Sequence, residues 1–311
     1  MSFGNYLNAQ TNHFESEIIK CNYKTNEGKL NGLYVSHYKN GQKKSEGNFE
    51  NNYRIGKWSV WDSTGELRMV REYKNPFIFK RIVPSVPNNI LVDLLNIPQD
   101  TLGYNDDNYI AYFPIGESNV IWSKRLWRII SIENNPILFN NNRLFNALNQ
   151  NILNKNLIAY NTTNDQFREE IDVLNIDTSS LQVIGYRIKE DVFFCKERLI
   201  FETRIIGLCP IVFNKIQKDT VDLYWVYFPK ARKILAKELI ADANIQAKIK
   251  SLDDLFFYRY FDSEIYKSGT FNKSPFVPKT KKEKQKYSER INIGVIEHEH
   301  NIWISLTKKE E

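Results

Sequence analysis

The sequence predicts an α+β protein in which a small antiparallel β-repeat module precedes a mixed helix and antiparallel-sheet domain. Two observations carry this reading. "GLYVSHYKNGQK", residues 32 to 43, returns 24 residues later as "GKWSVWDSTGEL". Farther on, apolar residues first recur at four-residue intervals and then gather in β-branched and aromatic runs bounded by turn signals.

The 311 residues, 42% hydrophobic and 14% aromatic, suffice for one large core or two smaller ones. No stretch approaches the ~20 apolar residues of a membrane span. Met1 to Gln10 lacks the basic and apolar segments of a secretory signal, although "YLNAQ" weakly matches a cleavage pattern ending at Ala9. The formal charge of +6 is modest and both signs are interspersed, except near Lys279 to Lys286, so electrostatics demand no nucleic-acid partner. Cys21, Cys195 and Cys209 show no CxxC and no metal-ligand spacing. If "DVFFC" and "LIFETRIIGLC" form one hairpin turning near Lys196 to Arg198, Cys195 lies by the turn and Cys209 far along the ladder, so the two are not bonded.

The repeat module spans residues 1-74. Gly32 matches Gly56, Tyr34 matches Trp58, His37 matches Trp61, Gly41 matches Gly65 and Phe49 matches Tyr73, every offset being 24. A fixed offset signals a stacked supersecondary unit, here two aromatic strands joined at "KNG" and "STG". Gly41 and Gly65 supply positive φ at the turns, and Gly32 and Gly56 would let adjacent hairpins approach closely. These units resemble the variant MORN repeat, whose G-x-W/Y, N-G and E-G-x-Y pattern is legible from about Tyr23 to Tyr73. The resemblance implies a curved antiparallel sheet. A lone pair would expose an apolar face and must lean on the rest of this chain or on a partner. Tyr34, His37, Trp58 and Trp61 are the candidate surface of this docking module, with His37 a packed, half-buried ring rather than a ligand.

Residues 75-98, "NPFIFKRIVPSVPNN" and beyond, read as a linker because Pro76, Pro84 and Pro87 interrupt any regular element. The second domain covers 99-278. Ser118 or Asn119 caps an expected helix from Val120, with Trp122, Leu126 and Ile130 on one face. Leu144, Leu148 and Ile152 form a second helical row, and Thr162 with Asp165 makes a capping box before Phe167, Ile171 and Leu174. "LQVIGYRIK", "VFFC", "LIFETRIIGL" and "VDLYWVYF" then read as strands. Pro229 opens the helix "PKARKILAKELIA", and Ser251 with Asp254 caps "LFFYRYF", a helix aromatic on nearly every side and hence buried. The tail, 279-311, reads as a basic linker, "KTKKEKQKY", followed by a C-terminal β-hairpin of "INIGVI" and "NIWISL" that turns at "EHEH".

No catalytic constellation emerges. Asp106-Asp107, Glu169-Glu170 and Asp253-Asp254 place sequence neighbours on different faces, and there is no P-loop, GxSxG, HExxH or dinucleotide fingerprint. His298 and His300 on a strand would share a face and could hold a metal only with a third ligand; a solvated turn is preferred. No cofactor is expected.

The phrases "VIWSKRLWRIISIENN", "NLIAY", "YRIKEDVFF", "RIIGLCPI", "LYWVYFPKARKILAKELI" and "LDDLFFYRYFDSEIYKSGTFN", in that order, resemble the GldN (PorN) family of type IX secretion and gliding motility. The resemblance covers about Tyr109 to Asn272. It departs at Val192, where an aromatic is usual, and at Cys195, where an acidic residue is. It implies a non-enzymatic structural subunit of the periplasm, associated with the outer membrane. Its implied partners are a GldK-like lipoprotein, with which it forms a ring, and a GldM-like periplasmic domain. Trp122, Arg125, Trp127, Arg128, Trp225, Tyr227, Arg232, Phe257, Arg259 and Tyr260, aromatic and Arg residues interleaved as in interface cores, are the candidate partner-binding residues. For any one of them, ordinary core packing is the competing reading. The alternative function is an antitoxin-like or immunity-like binder acting through the repeats.

Overall fold

A computed structural model describes residues 8–13, 20–26, 29–75, 78–83, 103–173, 180–196, 200–240, 249–269 and 280–307. In chain order the strands are β1 (Asn8–His13), β2 (Lys20–Asn26), β3 (Lys29–Leu30), β4 (Gly32–His37), β5 (Lys43–Glu50), β6 (Tyr53–Trp61), β7 (Leu67–Asn75) and β8 (Ile78–Val83). There follow β9 (Val120–Ser131), α1 (Pro136–Phe139), α2 (Arg143–Leu153), β10 (Ala159–Tyr160), β11 (Leu181–Cys195), β12 (Ile200–Asn214), β13 (Asp219–Asp222) and β14 (Trp225–Tyr227). The last elements are α3 (Phe228–Leu235), α4 (Leu252–Phe257), β15 (Glu264–Gly269) and α5 (Lys281–Thr307). The α+β class is as expected. Two compact units result: unit 1 comprises Met1–Leu102, Phe194–Phe201 and Gln285–Glu311, and unit 2 comprises Gly103–Phe193 and Glu202–Lys284.

Unit 1 is built on an antiparallel sheet ordered β1-β2-β4-β5-β6-β7-β8, with β3 pairing β2. The 24-residue repeat is geometric as well as textual: Gly32 faces Phe49 and Tyr34 faces Gly47 across β4 and β5, while Gly56 faces Tyr73 and Trp58 faces Arg71 across β6 and β7. Both turns close in the same way, through Gly41 N to Tyr38 O at 2.9 Å and Gly65 N to Asp62 O at 3.1 Å. The two turns are tied together, since the Tyr38 hydroxyl donates to Trp61 O at 2.8 Å and Asn40 Nδ2 to Ser63 O at 2.9 Å. Gly32 and Gly56 have φ of +83° and +60°, and a Cβ on either would meet at most a Lys24 methylene, so they serve backbone conformation rather than close approach. The close approach falls at Gly47, whose Cβ would lie 2.1 Å from the Trp58 ring.

Two expectations fail in unit 1. Residues 78–83 of the expected linker form β8, while Pro76, Pro84 and Pro87 lie outside the described residues. The expected C-terminal hairpin is instead the 27-residue helix α5, started by a reciprocal capping box in which Thr280 N donates to Glu283 Oε2 and Glu283 N to Thr280 Oγ1. Its sheet-facing row, Ile293, Glu297, His300 and Ile304, is half polar, which conceals the helical period, while the alternating isoleucines around it imitate a strand.

Unit 2 holds the sheet β10-β14-β12-β11-β9-β15, with β13 pairing β12. Residues 120–131 are strand β9, not a helix: a four-residue spacing puts Trp122, Leu126 and Ile130 on one face at period 2 just as it does at period 3.6. The Thr162–Asp165 segment does not start a helix; Tyr160 bridges to Glu170, and Phe167 takes φ +56° so that its ring packs on Tyr160 and Trp225. Leu174 lies outside the described residues. Helix α2 forms with Leu144, Leu148 and Ile152 buried, and packs against α3, which Pro229 opens. Helix α4 carries the expected Ser251–Asp254 capping box, and all six of its residues are buried. Cys21, Cys195 and Cys209 are unbonded and buried.

Candidate functional site

In unit 1 the aromatic side chains of the repeats form the inner face of the sheet. Tyr34, Phe49, Trp58 and Tyr73 pack with Cys21, Tyr23 and Leu30, and the chain's own helix α5 supplies Ile293 to the same core. The sequence expected Tyr34 and Trp58 on the module's surface; both are buried, while His37 and Trp61 on the opposite face stay half-exposed. Strand alternation explains the split, because an odd spacing within each repeat puts the two aromatic positions on opposite sides.

Where α5 crosses this face the contact is ionic. Glu297 accepts from the Tyr34 hydroxyl and from Lys44 Nζ, the latter at 2.6 Å, and Arg54 pairs with Glu299. Arg54 Nη2 also faces His300 Nε2 at 3.5 Å. Because a guanidinium can only donate, Nε2 accepts, and a neutral His300 carries its proton on Nδ1, 3.8 Å from Glu297 Oε1. Burial holds His300 below the usual imidazole range, Glu297 acting against it. Burial would raise Glu297, but His300 and Lys44 overcome it and leave a carboxylate well below its ordinary range. Burial pushes the Cys21 thiol up to about 12, Glu297 adding to the effect, so this thiol is inert. Within "EHEH", Glu297, Glu299 and His300 are thus residues of the helix–sheet contact. On a helix His298 and His300 point in different directions, and among the described residues no group of three or more His, Cys, Asp or Glu is placed to hold a metal.

The aromatic rings complete the contact. The Arg54 guanidinium lies 5.2 Å from the Trp58 centroid and 5.5 Å from that of Trp303, and Arg71 lies 4.0 Å from Trp303. His300 sits 5.8 Å from Trp58 and 5.4 Å from Trp303.

Unit 2 turns most of the expected partner-binding residues inward. Arg128 and Arg259 converge on the fully buried Glu190, Arg259 at 2.9 Å. Burial would raise Glu190, but the two guanidinium groups hold it below its ordinary range. Arg232 grips Asp253 through two hydrogen bonds of 2.8 and 2.7 Å, donates to Ile110 O, and is lined by Tyr109, Tyr112 and Phe257. Arg125 pairs with Asp191 at 2.6 Å. Trp127 and Trp225 share one buried cluster with Cys209, and the Trp127 indole donates to Asp165. Tyr227 is half-buried against Phe167, Trp122 is half-buried on β9, and Tyr260 alone of the ten is exposed, at 41%. The acidic neighbours Asp253 and Asp254 divide their work, one neutralising Arg232 and the other capping α4.

The sequence reading missed Glu190, Lys44, Arg54, Glu297, Glu299 and Trp303. A carboxylate inside the apolar run "YRIKEDVFF" was the available signal for Glu190.

A family model described as "Gliding motility associated protein GldN" matches residues 115–304, more than half of the chain. The chain belongs to the GldN family. No curated protein matches it. Membership makes it a component of the gliding-motility and type IX secretion machinery, a structural rather than a known enzymatic family, and implies contact with other parts of that machinery. The GldN match includes the α5 residues Ile293, Glu297, His300 and Trp303, whereas the repeats precede it. Among the described residues no helix is long and apolar enough to cross a membrane.

Proposed function

We propose that this GldN-family chain is a non-enzymatic structural or accessory subunit that assembles with a GldK-like lipoprotein into a periplasmic ring, associates with the outer membrane through its partners, and meets a GldM-like periplasmic domain. The observation that carries the reading is the family match over residues 115–304. The charged side chains of unit 2 support it, since Arg128, Glu190, Arg259, Arg232 and Asp253 are engaged with one another as cross-ties. The repeats, resembling variant MORN units, act as an added docking module. Its partner-facing side is the one bearing His37 and Trp61, because α5 covers the other. In unit 2 the contact residues are Tyr260, Trp122 and Tyr227, which retain accessible surface.

The test is affinity co-purification of the full tagged chain from its native cell envelope, with mass spectrometry and electron microscopy of the product. A GldK-like lipoprotein in ring-shaped particles is the expected result. Recovery of a small cytoplasmic protein alone would overturn it in favour of an antitoxin-like or immunity-like binder. Surface variants such as Trp61→Ala and Tyr260→Ala are the proper probes of the contacts, since deleting the repeats would also strip α5 of its seat.

A further inference from the structure

We infer that the inner face of the repeat sheet is a sequence-specific receptor for α5, and that it accepts this helix from a second copy of the chain as well as from its own. The inference stands on unit 1 alone and does not require the ring.

Three observations on that interface carry it. First, recognition is by complementary charge at defined positions: the sheet presents Lys44 and Arg54, and the helix presents Glu297 and Glu299. Buried pairs of this kind fix register and partner more than they add stability, because a helix lacking the carboxylates would leave two cations desolvated and unpaired. Second, the second repeat departs from the first at the point of contact. Gly47 of the first repeat lies under Trp58; its counterpart 24 residues later is Arg71, whose guanidinium stacks on Trp303. A residue that breaks the internal repeat and reaches the helix marks the sheet as adapted to that helix. Third, α5 exposes Ile293 and Trp303 whenever it leaves the sheet, so it must be housed somewhere.

A second copy is the occupant that reproduces every one of these contacts. Exchange of an identical element keeps the interface unchanged, so the two arrangements differ only in chain connection and concentration. Copies held side by side would raise the effective concentration at which exchange competes with the helix's own docking.

The test uses full-length chains carrying different tags. Arg54→Glu in one chain and Glu299→Arg in the other each place like charges across the interface when the helix docks at home. When the two chains exchange helices, one sheet-helix interface carries both substitutions and so pairs opposite charges in reversed order, while the other carries neither and keeps the native Arg54–Glu299 pair. The expected result is one-to-one co-purification of the two co-expressed chains, with hydrogen-exchange protection of α5 restored. Each variant expressed alone should leave α5 unprotected. A chain carrying both substitutions should fold by itself, which controls for tolerance of the reversal. If that double variant folds but the co-expressed pair does not associate, exchange is refuted. The same three-way comparison with Lys44→Glu and Glu297→Lys decides the matter if the first reversal is not tolerated within one chain.

Discussion

Arg71 lies with its guanidinium carbon 4.0 Å from the Trp303 ring centroid, and it does so at the position where the preceding repeat has Gly47. One hairpin therefore leaves space for its neighbour's indole, and the other sends a cation across to the helix.

Replacing Trp303 by Ala should remove the ring against which Arg71 and Arg54 stack and open a cavity under α5. The expected loss is about 3–5 kcal/mol of unit 1 stability. Hydrogen exchange should show protection falling along α5 and along β4 to β7. Unchanged protection would mean the indole is not part of the anchor.

Gly47→Ala tests the close approach directly. Its Cβ would lie 2.1 Å from Trp58 Cδ2, a ring atom held on all sides. The strand must shift, at a cost of about 1–3 kcal/mol. Gly56→Ala meets open space and suffers only the left-handed backbone, about 1–2 kcal/mol. The two variants differ in mechanism, so a further Trp58→Leu change should recover stability lost at residue 47 but none lost at residue 56, as read by denaturant midpoints.

Acid should loosen unit 1 in two stages. The groups facing His300 are Tyr34, Lys44 and Arg54 from the sheet and Glu297 and Glu299 from the helix. His300 has a depressed folded pKa, so the unfolded chain binds its proton first and stability falls as pH drops below the unfolded imidazole value of about 6.5. Glu297 is also depressed, so its contribution is present above the unfolded carboxylate value of about 4.3 and is lost below it. Each group contributes at most one proton, or about 1.4 kcal/mol per pH unit. Thermal melts of His300→Gln should show a flatter slope between about pH 5 and 6.5 with the lower limb retained. An identical slope in both proteins would rule out His300 as the source.

Glu190→Gln should be among the most damaging changes in unit 2, because it removes a fully buried carboxylate that the mostly buried guanidinium groups of Arg128 and Arg259 share. Stranding buried charge typically costs about 3–5 kcal/mol. A triple variant, Arg128→Met with Glu190→Leu and Arg259→Met, should recover most of that loss. Urea titration of the two chains separates a charge effect from a packing effect.

Sequence reasoning succeeded where chemistry is local. The Ser251–Asp254 cap, the Leu144, Leu148 and Ile152 row and the strand character of 181–195 and 200–214 depend on neighbours within one element, and the 24-residue repeat on two hairpins of like sequence. It failed where one spacing serves two geometries, as at Trp122, Leu126 and Ile130, and where a docking face is ionic, as at Glu297 and His300. The Thr280–Glu283 cap was present in the basic run and marks the start of α5, but a stretch rich in lysine reads first as a solvated segment. The candidate partner residues were chosen by type, and type does not distinguish an Arg that meets a partner from one that, like Arg232, meets Asp253.

Tyr34 and Glu297 are hydrogen-bonded across 263 positions of chain. During synthesis the aromatic face of the sheet is complete when β7 has emerged, yet the helix that covers it is made more than two hundred residues later. Until then a broad oily surface is open to water, and closing so long a loop is both entropically costly and slow. With this wiring, the aromatic face is exposed to misassociation until α5 has been made, the physical condition under which folding intermediates aggregate.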